Sequence, residues 1–234
     1  MARSQKFPTL SIIIPTLNEA FHLPLLIADL NTWPYDFELI IVDGGSTDLT
    51  VSIAQIQGVD VIKSPKKNRG YQLKTGASNS RGDWLLFLHA DSRLGPRWVK
   101  NLYKIIQNKT SEDFAWYFDF KVKKYNTQFR LLELAVALRS LFLQRPYGDQ
   151  GLLIHKDLYF NSGGFSSLNI MEDLDIITRI TKITRVRRIR ENIYTDHIKW
   201  ANSNIIKRAL KNAKLRKKWR EGYNIDNLLE EYNS

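Results

Sequence analysis

Short apolar runs alternate with polar loops along this 234-residue chain, most regularly in its first half. Leu10-Ser11-Ile12-Ile13-Ile14 is a β-branched run stopped by Pro15, and it reads as a strand. The polar loop Thr16-Leu17-Asn18-Glu19-Ala20 leads into helix-periodic apolar positions over about 23–32. Phe37-Glu38-Leu39-Ile40-Ile41-Val42 is a second buried strand, closed by Asp43-Gly44-Gly45-Ser46-Thr47-Asp48, with a helix over about 49–57. Val59-Asp60-Val61-Ile62 is a short third strand, and a third helix starts in Asn68-Arg69-Gly70-Tyr71-Gln72. The unbroken run Trp84-Leu85-Leu86-Phe87-Leu88 ends abruptly in His89-Ala90-Asp91-Ser92, which marks a strand buried on both faces. Strand, polar loop and helix, repeated three times, predict an α/β fold with a mostly parallel central sheet and helices on both faces.

The second half is less regular. Its pattern predicts a helix over 98–107, a strand over 115–122 and a strongly apolar helix over 129–143 carrying Leu132, Val136 and Leu143. Such a helix is expected in the core; one lying against a membrane or a partner is the minority case. Pro146-Tyr147-Gly148-Asp149-Gln150-Gly151 breaks it, Leu152-Leu153-Ile154 returns to strand, and Asn161-Ser162-Gly163-Gly164-Phe165 is a turn. Met171-Glu172-Asp173-Leu174-Asp175 opens a helix to about 181, its acids at the positive end. A strand or sheet edge is expected over 185–190, and a basic helix over 203–222. The length suits one domain spanning 1–234, without repeats or a low-complexity linker.

Composition narrows the classes. The chain has no cysteine, which removes disulfides and thiolate metal sites and makes cytosol the simplest expectation. The polar start Met1-Ala2-Arg3-Ser4-Gln5-Lys6 and the interruption at Pro15 read as neither a signal peptide nor a membrane span. Net charge is +11, but 179–220 holds 15 Lys/Arg against two acids, an excess of +13 that leaves −2 elsewhere. The basic character therefore belongs to the C-terminal part.

In open α/β sheets, ligands gather beyond the carboxyl ends of the strands. Three such ends carry carboxylates here: Asn18-Glu19, Asp43 with Asp48, and Asp91; a fourth acidic cluster, Glu172-Asp173-Asp175, follows a Gly-Gly turn. Each acid alone reads as a helix cap, most readily Asp48 and Glu19. Together on one rim they repel each other unless a cation sits among them. The chain has no Gly-x-x-x-x-Gly-Lys loop and no Gly-x-Gly-x-x-Gly after its first strand, so kinase and dinucleotide dehydrogenase readings lack their main part.

Ile12-Ile13-Ile14-Pro15-Thr16-Leu17-Asn18-Glu19, Ile41-Val42-Asp43-Gly44-Gly45-Ser46-Thr47-Asp48 and Leu86-Phe87-Leu88-His89-Ala90-Asp91 resemble, in order and spacing, family-two glycosyltransferases of the GT-A fold. Arg69-Gly70-Tyr71-Gln72, Gly148-Asp149-Gln150 and Met171-Glu172-Asp173 match as well, so the resemblance runs from about 10 to 182. It is greatest to a subgroup of small bacterial enzymes with His-Ala-Asp where relatives have Asp-x-Asp. The resemblance implies a nucleotide-sugar-binding half (10–110), an acceptor half (111–182) and a basic C-terminal segment (183–234). It implies an inverting transfer from a nucleotide-diphosphate sugar, most often a UDP-sugar, to an acceptor hydroxyl. Pro15, Thr16, Asn18, Glu19, Asp43 and Ser46 would cradle base and ribose, with Asp43 accepting their hydrogen bonds. Arg69 and Gln72 would lie near the nucleotide, while Ala90 and Asp91 would face a diphosphate bridged by Mn²⁺ or Mg²⁺. His89 is left as a weak ligand that would favour Mn²⁺, a support for Asp91, or a purely structural residue. Asp173 would be the general base, Glu172 would orient the acceptor, and Asp149 and Gln150 would line its pocket; Asp175 is expected to cap. A segment around Tyr194-Thr195-Asp196-His197-Ile198-Lys199-Trp200 would fold over the diphosphate through His197 or Lys199.

Two rival readings stand beside this one. A nucleic-acid-binding module would use the basic 179–220 stretch with Tyr194, Trp200 and Trp219, but no such motif is present and the rim acids would repel phosphate. A nucleotidyltransferase would need a Gly-rich loop with Arg and Lys after the first strand. No nucleic-acid partner is expected. Ile205, Ile206, Ala209, Leu210, Ala213 and Trp219 fall along one side of the basic helix, which suits an anionic membrane surface on its inner face and a lipid or lipid-linked acceptor.

Overall fold

β-Branched side chains favour extended backbone, and successive residues of a strand point to opposite faces of the sheet. In β1 (Leu10–Thr16), Leu10, Ile12 and Ile14 pack on one face and Ile13 on the other, all without solvent exposure. β1 therefore lies in the middle of the molecule. Each fully buried side chain of this size contributes about 1.5–3 kcal/mol. The structure, a computed structural model, describes residues 10–124, 126–195 and 205–233.

The strands that follow are β2 (Phe37–Asp43), β3 (Val61–Lys63), β4 (Trp84–Phe87), β5 (Arg93–Leu94), β6 (Ala115–Val122), β7 (Leu152–His155) and β8 (Val186–Thr195). They form one sheet in the order β3-β2-β1-β4-β7-β6-β8-β5. The helices are α1 (Leu23–Leu30), α2 (Thr50–Ile56), α3 (Arg69–Ser78), α4 (Trp98–Ile106), α5 (Thr127–Leu143), α6 (Lys156–Asn161), α7 (Glu172–Ile180), α8 (Ile205–Arg220) and α9 (Ile225–Asn233). One apolar layer joins the sheet to α1 and α4 and includes the stacked Trp33 and Trp98, with ring centroids 5.3 Å apart. The other joins it to α3, α6 and α7 through Leu73, Tyr159 and Ile177.

The expected sheet is observed: four strand pairings are parallel and three antiparallel. All of β3-β2-β1-β4 is parallel, as the repeated strand–helix pattern requires. β7 then runs antiparallel to β4, pairing Phe87 with Leu152. That register sets the chain just before β7 beside the chain just after β4, so Gly148-Asp149 reaches the His89–Asp91 rim. β8 runs parallel to β6 and ends at Thr195 on the same rim.

Several elements were not visible in the sequence pattern: the two-residue β5, α6 and α9. β8 extends to Thr195 rather than ending near 190. The basic helix is present, but its described apolar side chains do not all face away from the chain. Leu215 of α8 and Leu228 of α9 are buried on Ile170, with Trp219 and Met171 packed alongside, while Leu210 is exposed. Residues 196–204, with His197, Lys199 and Trp200, lie outside the described residues.

Candidate active site

The loops at the carboxyl ends of β1, β2 and β4 are built on Asp43. β1 and β2 pair Thr16 with Asp43 in register, which lets Thr16 Oγ1 donate to Asp43 Oδ1 at 3.0 Å. The Gly45 and Ser46 amides donate to Asp43 Oδ2 at 2.9 and 2.8 Å, and Ser46 Oγ donates to Oδ1 at 2.5 Å. Burial pushes this carboxyl up, but the Ser46, Gly45 and Thr16 donors outweigh burial and hold it below the usual carboxylate range. Four donors fill the roughly four acceptor positions of a carboxylate. Asp43 thus organises the loop from within, its two oxygens taken up by these four donors where contact with base or ribose was expected of it. Ser46 is engaged likewise: its Oγ also accepts from the Asn18 amide at 2.8 Å.

Asn18 adopts a left-handed backbone conformation (φ 56°), which Asn tolerates better than most residues. Its Oδ1 accepts from the Thr47 amide at 2.8 Å, so it ties the first loop to the second. Gln72, buried on α3, donates from Nε2 to the carbonyls of Thr16 (2.9 Å) and Val42 (2.7 Å) and staples the ends of β1 and β2. Asp48 accepts from the amides of Thr50 and Ala20, the capping role its position predicts.

These loops bound a cleft of about 510 Å³, a size typical of small-molecule sites. Pro15, Thr16, Glu19, Arg69, Gln72, His89, Ala90, Asp91, Asp149 and Asp173 all line it. Asn18, Asp43, Ser46, Glu172 and Gln150 do not. Gln150 is a buried brace: its Oε1 accepts from Arg139 and Ser140, and its Nε2 donates to the Phe118 carbonyl. Glu172 is buried against Arg69, which donates to its Oε1. Its Oε2 has no hydrogen-bond partner among the described residues. Burial pushes the Glu172 carboxyl up, opposed by Arg69 and reinforced by Asp173. For Arg69, burial opposes the charge, but Glu172 and Asp173 outweigh it and hold the guanidinium well above its ordinary value. Gln150, expected to line the pocket, braces it from beneath, and Glu172, expected to orient the acceptor, holds Arg69 and borders a smaller apolar cavity with His89, Tyr147 and Asp173.

Two glycines let the parts meet. A side chain at Gly70 would stand 2.2 Å from the Ser166 carbonyl, so only glycine allows the loop before α7 to close on α3 and Arg69. A Cβ at Gly148 would lie 2.8 Å from His89 Nε2 and 3.4 Å from Asp173 Oδ2. The ends of β4, the chain before β7 and the start of α7 thus converge at Gly148. Its amide donates to Asp173 Oδ2 at 2.8 Å, and the Leu174 amide donates to Oδ1 at 2.7 Å. Met171, immediately before α7, is held at φ 65°, a strained conformation of the kind that collects at functional sites. Asp175 is paired with Arg179 (2.6 Å) and Ser166 (2.7 Å), away from the cleft.

Asp149 differs from the other acids. Its Oδ1 is buried without a hydrogen-bond partner among the described residues. Burial pushes its carboxyl up; Arg139 opposes this and Asp173 adds to it. Asp91 is buried at the back of the cleft, where Thr195 Oγ1 donates to its Oδ2 at 3.2 Å. No group of three or more His, Cys, Asp or Glu able to hold a metal is present among the described residues. A single cleft-facing carboxylate still fits a hard divalent cation that takes its other ligands from phosphate oxygens and water.

The sequence pattern did not identify Lys67, Tyr147, Asn169, Asn212, Arg216 and Tyr232, which also line the cleft. Asn212, Arg216 and Tyr232 come from the α8–α9 hairpin. Tyr147 lies between two guanidinium groups, Arg139 at 3.7 Å and Arg216 at 4.7 Å from its ring centre. Arg216 was within the basic run, but nothing local separates it from the neighbouring cations.

A parallel-centred sheet with a charged cleft at its carboxyl rim defines a GT-A-type α/β fold. Solved structures agree in fold. A mannosyltransferase from Pyrobaculum calidifontis in complex with GDP-Man and Mn²⁺ matches with a TM-score of 0.64 at 17% identity, over 97% of this chain and 70% of that one. S. aureus TarS 1-349 in complex with UDP-GlcNAc matches with a TM-score of 0.61 at 15% identity, over 96% and 70%. The family model for glycosyl transferase family 2 matches residues 11–170, and the chain belongs to that family. A PGL/p-HBAD biosynthesis glycosyltransferase of Mycobacterium bovis is 43% identical over 94 residues, 37% of each chain. An uncharacterized glycosyltransferase of Haemophilus influenzae is 27% identical over 180 residues, 73% of this chain and 61% of that one.

Proposed function

We propose that the protein is an inverting, metal-assisted glycosyltransferase that moves a sugar from a nucleotide-diphosphate donor, a UDP-sugar in the first instance, to an acceptor hydroxyl. The observation that supports this reading is the union, in one cleft, of the Asp91 carboxylate, the cations Lys67, Arg69 and Arg216, and the Asp173 carboxylate. These cations suit a diphosphate. Asp91, with His89 beside it, would hold Mn²⁺ or Mg²⁺. A bound divalent ion supplies charge neutralisation for the departing diphosphate. The two backbone amides fix the orientation of Asp173 yet use only about half of its acceptor capacity. The remainder is available for the proton of an attacking hydroxyl, and attack from that side inverts the anomeric centre.

Thermal-shift titration of UDP and UDP-sugars, with and without Mn²⁺, tests the reading, because binding to the folded state alone raises Tm by mass action. The expected outcome is a Mn²⁺-dependent shift in the wild type that Asp91→Ala removes. Equal shifts in the two proteins would show that Asp91 is no ligand.

A further inference from the structure

The apolar helix α5 is only half core. Phe129, Glu133, Val136 and Ser140 face inward, while Leu131, Leu134, Leu138, Leu141, Phe142 and Leu143 are exposed, Phe142 to 72%. Residues 131, 134, 138, 141 and 142 share one helical face and form a ridge about 16 Å long. Nothing among the described residues covers it. A contiguous apolar ridge of this kind marks an interaction surface.

The surroundings select the partner. The stretch 121–145 carries six Lys/Arg and one acid, Glu133, which is buried and paired with Lys121 and Arg130. The outward face of α5 has no acid. Lys123 and Lys124 are exposed just before the helix. α8 packs against α5 and holds eight Lys/Arg and no acid over 205–220, with Lys214, Lys217 and Arg220 exposed. A second copy of the chain would bring the same basic collar against its own kind. An anionic bilayer matches both parts, taking the ridge into the headgroup–acyl boundary and the collar against its phosphates.

We propose that the outward face of α5 docks the protein on an anionic lipid bilayer. The docking element is then α5 with α8 as its charged flank, rather than α8 alone. The helix is joined stiffly to the cleft: Arg139 Nε donates to the Arg145 carbonyl at 2.9 Å, and Arg139 Nη2 donates to Gln150 Oε1 at 3.0 Å. Tyr147 and Asp149, a few residues beyond, line the cleft. A cleft linked in this way to a docked helix fits an amphiphilic acceptor whose hydroxyl stands at the headgroup level. This last step rests on the transfer reading above; the docking itself does not.

The test is flotation of the full chain with phosphatidylcholine vesicles, with and without phosphatidylglycerol, at low and high salt. The wild type is expected to float with the anionic vesicles and to be released by salt. Leu134→Glu/Leu138→Glu/Phe142→Glu, at exposed positions, should lose vesicle partition by about tenfold or more while keeping its UDP thermal shift. The milder Leu138→Ser/Phe142→Ser pair gives the same readout if the triple variant is poorly folded. Three results would overturn the proposal: a wild type that stays at the bottom at low salt, variants that float as well as wild type, or a dimer in solution that the variants convert to monomer without any vesicle binding. Vesicle binding without UDP binding would leave the docking intact and remove the transfer reading alone.

Discussion

Asp149 and Asp173 illustrate how two acids a short distance apart acquire different characters. Asp173 is oriented by two amides, so it combines a fixed position with spare acceptor capacity. Asp173→Asn keeps the size and one of those bonds, at a stability cost of about 0.5–1.5 kcal/mol. It should bind donor and metal normally yet lose transfer by about 10²–10⁴-fold. Asp175→Asn, which touches only the Arg179–Ser166 pairing, should retain most turnover; a comparison of donor affinity and turnover for both variants decides the base. Asp149 is raised above its ordinary value by burial. A folded carboxyl with a raised pKa favours the fold below the unfolded value of about 3.9 and loses that contribution as pH rises through the folded value. At neutral pH the carboxylate therefore costs stability. Asp149→Asn has no charge to desolvate and should raise Tm at pH 7. The gain should disappear in melts below about pH 4, while transfer falls because a cleft carboxylate is gone.

At the scale of elements, the α8–α9 hairpin is the part of the cleft that sequence periodicity described least well. Its predicted apolar side included Leu210 and Trp219 but not Leu215, the residue that is buried and anchors the hairpin on Ile170. Leu215→Ala leaves a cavity at a cost of about 2–5 kcal/mol, confined to this small cluster. Hydrogen exchange should speed up in α8 and α9 while the central sheet keeps its protection. Affinity for UDP should fall in the same variant, since Asn212 and Arg216 reach the cleft only while the hairpin is docked. Unchanged UDP affinity alongside faster exchange would remove the hairpin from the donor site. α5 carries the converse lesson. Its composition reads as core, but the helix packs through one face only, with Phe129 and Val136 on Phe120 and Val122 of β6, so the far face stays outside.

For the whole molecule, charge is distributed between a near-neutral sheet domain and a strongly basic C-terminal stretch. The cleft mixes Asp91, Asp149 and Asp173 with Lys67, Arg69 and Arg216, the groups that the proposed diphosphate donor and its cation would use. At about 0.15 M salt, RNA should neither be retained nor displace a UDP-sugar, since non-specific nucleic-acid binding weakens steeply with salt. Firm RNA binding at that salt, with no UDP thermal shift, would restore the nucleic-acid reading. No helix among the described residues is long and apolar enough to cross a membrane.

The sequence by itself determined the strands β1, β2 and β4, their flanking helices and the acidic rim, because those features are local. Period-2 and period-3.6 patterns, the stop at Gly44-Gly45, and polar residues directly after apolar runs are all written within a few residues of one another; the stop expected at Pro15 does not occur, because β1 runs on through Pro15 to Thr16 in register with β2. It also carried the family resemblance over the same stretch. The tertiary structure decided which of the singled-out residues face the cleft. Asp43 and Gln150 are satisfied from inside and Glu172 is buried against Arg69, partners that only the packed chain supplies. It likewise brought Gly148-Asp149 to His89–Asp91 through the antiparallel register of β7, and Arg216 to Tyr147 through a hairpin more than 60 residues away in sequence. Such meetings depend on strand direction and long-range packing, which no local periodicity encodes.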